Sequence, residues 1–277
     1  MKKHIKEQIA SSIINKALEL GASQAGICSL ADLTQAPSYK LAPLLPALEM
    51  NVSEAGDNHH HSENRIDLSP DAISVLVISY AHPESEPQLD WWLDDINTPG
   101  NRVLMKINGK LAAWISDTLS IETKPLPYSV EKGGVFLKDA AVMAGLGSMG
   151  KNNLLITPQY GPRVRLRAML LHETIPSTGP LDYQPCKNCS APCMDGCPEM
   201  AFEETVYRPV EYGFDTLPGT AGRYDRNRCN NRMLTNDSEA ATEHLEPDPA
   251  KPVKVTKHCR NCELSCPVGG VTSIPER

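Results

Sequence analysis

Cys186-Lys187-Asn188-Cys189-Ser190-Ala191-Pro192-Cys193-Met194-Asp195-Gly196-Cys197-Pro198 spells C-x2-C-x3-C-x3-C-P. A second group follows downstream, Cys259, Cys262 and Cys266 before Pro267, and Cys229 stands between the two. In runs of this type the first three thiolates hold one iron-sulfur cluster, and the fourth, before the proline, reaches the other. The spacing predicts one 4Fe-4S cluster on Cys186, Cys189, Cys193 and Cys266, and a second on Cys197, Cys229, Cys259 and Cys262. Paired C-x2-C groups also suit two tetrahedral zinc sites, although zinc ribbons have no need of two C-P endings. Disulfides belong to short secreted chains, and no apolar secretory segment is present.

Length and charge narrow the rest. The chain has 277 residues, 40% of them hydrophobic, enough for one large or two modest cores. Its 27 basic against 34 acidic residues leave a formal charge of -7, which offers no attraction to a polyanion. No stretch approaches the roughly 18 apolar residues of a membrane span. The opening Met1-Lys2-Lys3-His4-Ile5-Lys6 runs into an amphipathic helix without an export signal. The expectation is a cytoplasmic protein, a compartment that suits reduced thiolates.

Ile5, Ile9, Ile13, Ile14 and Leu18 recur at helical spacing and predict a helix over 5–20, stopped by Gly21. A short strand at 26–29 carries the ninth cysteine, Cys28, as a buried inert thiol. Residues 36–63 lack periodicity. His59, His60 and His61 fall there in a solvated loop, because consecutive residues do not share a face. An apolar, β-branched run at 73–80 predicts a strand buried on both faces. Helices are predicted over 103–119 and 135–144, and strands over 153–157 and 164–172. The alternation predicts an α/β fold, with a layered domain over residues 1–180. Beyond it, Pro, Cys and Asn dominate with little periodicity. That predicts a ferredoxin-like double-cluster domain over 181–277, with long loops at 204–224 and 234–256.

Ala144-Gly145-Leu146-Gly147-Ser148-Met149-Gly150-Lys151-Asn152 contains both G-x-G-x-x-G and G-x4-G-K. Phosphate-binding loops of either type follow a strand and open a helix. Here the helix comes first, and Asn152 stands where a phosphate loop needs Ser or Thr. Two readings stay open: glycines that let backbone approach a large flat ligand, or a tight turn with no ligand. Further on, Arg163, Arg165 and Arg167 alternate at strand period and share one face, either to hold an anion or to form a polar surface.

Taken in order, Val130-Glu131-Lys132-Gly133-Gly134-Val135, then AGLGSMGKNNLLITP, then Gln159-Tyr160-Gly161-Pro162-Arg163-Val164-Arg165-Leu166, then the two cysteine groups, resemble the cobalamin-dependent iron-sulfur reductases. That superfamily includes epoxyqueuosine reductase and the reductive dehalogenases. A weaker match, Asn64 to Pro70 leading into the strand that ends at Tyr80, resembles the family's N-terminal half. The resemblance implies an oxidoreductase with a corrinoid-binding domain, two 4Fe-4S clusters and a base-off cobalamin. It also implies an external electron donor such as ferredoxin or flavodoxin, and a small-molecule substrate.

By position, the resemblance implies Glu131 as proton donor, with Tyr128 a second catalytic candidate. A carboxyl buried against a corrin has a raised pKa and can stay protonated near neutrality. Corrinoid contacts are implied for Arg65, for Gly145, Gly147, Ser148, Met149, Gly150, Lys151 and Asn152, for Arg163 and Arg165, and for Asn231, Arg260 and Asn261. An alternative is an iron-sulfur electron-transfer protein that reduces a corrinoid on a partner. Epoxyqueuosine reductases continue past the last cysteine group into helical repeats that help hold tRNA, whereas this acidic sequence stops at Arg277 and lacks their YARG-type segment. On those grounds tRNA is a doubtful substrate. The export signal of respiratory dehalogenases is missing as well.

Overall fold

The computed structural model describes residues 2–45, 72–94, 97–245 and 252–269. Arg65 and the His59–His61 run lie outside them.

Helix α1 (Lys2–Glu19) buries Ala10, Ile13 and Ala17, and the chain turns at Gly21, whose φ of 103° suits only a residue without a side chain. Strand β1 (Gln24–Ser29) leads into the short helices α2 (Leu30–Leu33) and α3 (Pro37–Leu41). The expected irregular stretch over 36–63 therefore begins with a helical turn, started by Pro37 at its first position. Strand β2 (Ser74–Ala81) follows, then the two-residue β3 (Trp92–Leu93). Helix α4 (Pro99–Leu119) is capped by the Thr98 hydroxyl, which accepts from the Asn101 backbone N–H, and it ends at Ser120 in the left-handed region. Next come β4 (Thr123–Pro125), α5 (Leu137–Met143), β5 (Ser148–Met149), β6 (Leu155–Ile156) and β7 (Val164–Leu171).

The main sheet has the order β1-β2-β7-β4, and all of its pairings are antiparallel, with Ser74 opposite Leu171 and Ala81 opposite Val164. The run at 73–80 is buried on both faces as its composition predicts, yet it is not a parallel strand. Burial comes from helices on either side. Val75 and Val77 face α2 and α5, while Leu76 and Ile78 face α1 and α4. Ile13, Ile27, Leu76, Ile78, Leu111 and Met169 are fully buried, and each such side chain stabilises the fold by about 1.5–3 kcal/mol.

The later part holds α6 (Pro192–Asp195), α7 (Pro209–Tyr212), α8 (Arg226–Ser238), β8 (Ala241–His244), β9 (Pro252–Thr256) and α9 (Asn261–Leu264). The segment 234–256 is thus no loop: α8 runs into it, and β8 and β9 pair antiparallel. Trp92 of β3 pairs with Thr256 of β9. Backbone pairing therefore crosses the boundary near residue 180 that composition suggests. Among the described residues, no helix is long and apolar enough to cross a membrane.

Candidate functional site

Eight of the nine cysteines gather in two groups of four. Cys193 is buried, and burial together with the thiols of Cys266, Cys186 and Cys189 pushes its pKa up to about 11. Cys266 is raised by burial and by Cys186 and Cys189, against the opposing charge of Arg163. In the other group, burial and then Cys229, Cys259 and Cys197 push Cys262 up to about 12. Cys229 is raised by burial and by Cys197 and Cys259, while the Tyr224 hydroxyl hydrogen-bonds it and works the other way.

Each group thus places four thiols where every anion formed opposes the next. Such a donor set calls for metal cations to offset it. Among the described residues, no three His, Cys, Asp or Glu side chains are arranged to hold a single metal ion. Four thiolates per group are the donor set of a tetrahedral zinc site and of an iron-sulfur cluster alike. The donor set fits clusters of several iron atoms.

Local structure holds these loops in place. In the three-residue spacer between Cys189 and Cys193, Ala191 adopts a φ of 62° and donates its N–H to Cys189 Sγ at 3.4 Å, and Pro192 opens α6. Ala201 N–H donates to Cys197 Sγ at 3.4 Å. Cys229 lies on α8, whose start is capped by the Asp225 carboxylate accepting from the N–H groups of Asn227 and Arg228.

The glycine segment docks on these loops. Lys151 Nζ donates to the Cys189 carbonyl at 2.9 Å, and the buried Asn152 donates through Nδ2 to the Cys262 carbonyl at 3.1 Å. A Cβ on Gly147 would lie 2.2 Å from the Ile156 carbonyl oxygen, and one on Gly145 would meet Thr178 and Gly179 at 3.0 Å. Packing within the chain by itself requires glycine at both positions. Ser148 Oγ is buried without a partner.

The three arginines share a face, but it is no open polar surface. Buried Arg163 donates to the carbonyls of Val268, Leu264 and Cys266 at 3.0, 3.0 and 3.1 Å. Arg165 bridges Asp90 at 2.8 Å and Glu263 at 2.9 Å. Arg167 donates to Asn101 Oδ1 at 3.0 Å and lies 5.6 Å from the ring centroid of the exposed Tyr128. Arg260 joins the same network, bonding Asp90 at 2.8 Å, the His82 carbonyl at 2.9 Å and the Glu263 carboxylate.

Asp90 also accepts from fully buried His82 through Nδ1 at 2.8 Å. Burial works against the Asp90 charge, yet His82, Arg165 and Arg260 outweigh it and hold its pKa low. Burial pulls His82 down, so its imidazole is neutral at pH 7. His82, Asp90 and Glu263 escaped the sequence reading. Glu263 had one signal, its place directly after Cys262.

A hollow of about 490 Å³ opens beside the second thiol group, lined by Cys259, Arg260 and Asn261, by the apolar Pro87, Trp91, Pro198 and Leu264, and by the polar Asp90, Arg232, Asn236, Lys257 and His258. Asn231 is exposed on α8, and Glu131 lies in a 3-10 turn, Val130–Lys132, just before α5.

No protein-family model matches the chain. It is 25% identical over 209 residues to the epoxyqueuosine reductase of Bacillus cereus, covering 69% of this chain and 52% of that protein. It is 32% identical over 109 residues to the tetrachloroethene reductive dehalogenase of Dehalobacter restrictus, 36% of this chain and 20% of that one. Its homologues are epoxyqueuosine reductases and reductive dehalogenases.

Solved structures of both kinds share the fold. An epoxyqueuosine reductase with a tRNA-Tyr epoxyqueuosine-modified stem loop superposes with a TM-score of 0.59 at 21% identity, over 95% of this chain and 66% of that one. A catabolic reductive dehalogenase in complex with 3-bromo-4-hydroxybenzoic acid gives 0.60 at 16% identity, over 95% and 32%. A further dehalogenase structure, described as suggesting a mechanism for B12-dependent dehalogenation, gives 0.58 at 16% identity. The chain therefore spans about half of the first of these reductase relatives, 52%, and less of the dehalogenase, 20%. A tRNA stem loop in one of these structures removes support for setting tRNA aside on charge and length.

Proposed function

We propose that the chain is a cobalamin-dependent iron-sulfur reductase, with residues 1–180 forming the corrinoid and substrate half and 181–277 the cluster half. The observation that carries this reading is the gathering of eight thiols into two interacting groups of four. Cys186, Cys189, Cys193 and Cys266 would hold one 4Fe-4S cluster, and Cys197, Cys229, Cys259 and Cys262 the other. Arg260 and Asn261 would meet the edge of a corrinoid in the hollow beside Cys259. When bound, these groups supply single electrons and a reducible cobalt.

The chain's own residues do the rest. Lys151, Asn152 and Arg163 fix the cysteine loops by their carbonyls. Arg167, a buried cation on β7 held by Asn101, lies beside the ring of the exposed Tyr128, where an anionic substrate group could be oriented. Glu131, just ahead of α5, is the proposed proton donor. The substrate class is an electrophilic small molecule or a modified nucleoside, and a reduced ferredoxin or flavodoxin is the proposed electron source.

One observation favours a second reading, an iron-sulfur carrier that reduces a corrinoid on a partner: Lys151 and Asn152 are already engaged by cysteine-loop carbonyls. Anaerobic reconstitution with iron, sulfide and cobalamin separates the two. The reductase binds about eight iron atoms per chain, retains corrinoid through gel filtration, and turns over an epoxyqueuosine stem loop or a halogenated aromatic. Clusters without retained corrinoid would instead identify the carrier.

A further inference from the structure

Lys138 lies half-buried in the first turn of α5. Its Nζ donates to the Asn153 carbonyl at 2.7 Å. That bond places the cation next to the turn whose preceding residue, Asn152, is bonded to the Cys262 carbonyl at 3.1 Å. The backbone links are short and rigid: Leu154 N–H donates to Asn152 Oδ1 at 3.3 Å, and Gly219 N–H donates to Asn153 Oδ1 at 3.1 Å.

Burial pulls the Lys138 pKa down, and Asp139, then Cys229 and Cys262, both members of the second thiol group, favour its charged form against it. Asp139 is itself held by Ser38, which donates to it through its hydroxyl at 2.6 Å and its N–H at 3.1 Å. From the opposite side, the Tyr224 hydroxyl hydrogen-bonds Cys229.

We propose that Lys138 and Tyr224 set the reduction potential of the second cluster, Lys138 as a compensating cation and Tyr224 as a hydrogen-bond donor to the Cys229 thiolate. A thiolate-ligated cluster gains negative charge on reduction. A fixed cation and a donor to sulfur both stabilise the reduced form, because a low-dielectric surrounding strengthens their interaction with the added electron. Both raise the potential, and they do so locally, on the group containing Cys229 and Cys262. The proposal rests on the reading that this second group holds a cluster.

The test is a potentiometric titration followed by electron paramagnetic resonance on the anaerobically reconstituted full chain. Lys138→Gln removes the charge, Lys138→Arg keeps it, and Tyr224→Phe deletes one hydroxyl without changing the ring. Lys138→Gln is expected to shift the reduction equilibrium of one cluster toward the oxidised form by at least tenfold, or 59 mV for one electron. Tyr224→Phe shifts the same cluster in the same direction by a smaller factor. Lys138→Arg leaves it near wild type, and the other cluster does not move in any variant.

Two clusters in the wild type with unshifted potentials in both neutral variants would overturn the proposal and leave the cluster reading intact. A wild type with only one cluster would remove both. Loss of the second cluster in Lys138→Gln and Lys138→Arg alike, with Tyr224→Phe unshifted, would make Lys138 part of the scaffold and also overturn it.

Discussion

Arg163→Met keeps the length of the side chain and deletes its guanidinium. In the folded chain that group donates to three carbonyls, those of Val268, Leu264 and Cys266. Cys266 is buried, whereas Leu264 and Val268 are half-buried. Water can re-enter at those two positions, so only the Cys266 carbonyl bears the full cost of a stranded buried acceptor, about 2–3 kcal/mol. The other two add about 0.5–1 kcal/mol each, for a loss of about 3–5 kcal/mol. With a urea slope of about 3 kcal/mol/M, the unfolding midpoint falls by about 1–1.7 M. Circular dichroism of the reconstituted protein in urea measures it, and iron per chain should fall because Cys266 loses its anchor. Arg163→Lys restores at most part of the loss. A midpoint within about 0.3 M of wild type, with full iron content, would refute the assignment of Arg163 to the cysteine loop.

Three further outcomes follow from the same geometry. Crossed ligation predicts that Cys266→Ser and Cys197→Ser each reduce iron from about eight to about four atoms per chain while leaving different clusters, which their resonance spectra distinguish; two identical residual spectra would contradict it. The neutral imidazole of His82 gives a definite pH slope. Its folded pKa lies below the ordinary 6.5, so the unfolded chain takes up a proton that the folded chain refuses, and stability falls as pH drops below about 6.5. Asp90 acts in a lower window: its pKa is depressed, so its stabilisation is present above about 3.9 and disappears as pH falls through the folded value. His82→Gln should flatten the decline measured in urea between about pH 7 and 5.5, and an unchanged slope would count against the burial argument. Burial, then Asp32, pushes Cys28 up to about 12, so native protein treated with iodoacetamide at neutral pH should leave Cys28 unmodified by peptide mass mapping.

The cysteine order, α1, α4 and the two long strands were legible in the sequence because each rests on a pattern of neighbours along the chain. The direction of the sheet was not. Val75 to Ile78 reads as a doubly buried strand whichever way its partners run, and nothing local shows that β7 returns antiparallel. Helix α8 was invisible to periodicity: Arg226 to Ser238 is polar on nearly every face and has little apolar stripe. Its one local sign was Asp225 in the capping position. The shared face of Arg163, Arg165 and Arg167 was legible, but its partners, Asp90, Glu263 and the carbonyls of 264–268, are supplied by distant stretches. Lys151 and Asn152 looked like ligand contacts for the same reason, since the cysteine loops that engage them lie far along the sequence.

The two thiol groups also impose an order on biosynthesis. Each includes at least one cysteine from the 259–266 stretch, which is translated last among the eight. A nascent chain that has emerged only as far as α8 therefore carries five cluster thiols and cannot complete either set. With the proposed ligation, metal loading would wait until the 259–266 stretch has emerged and folded back onto Arg163.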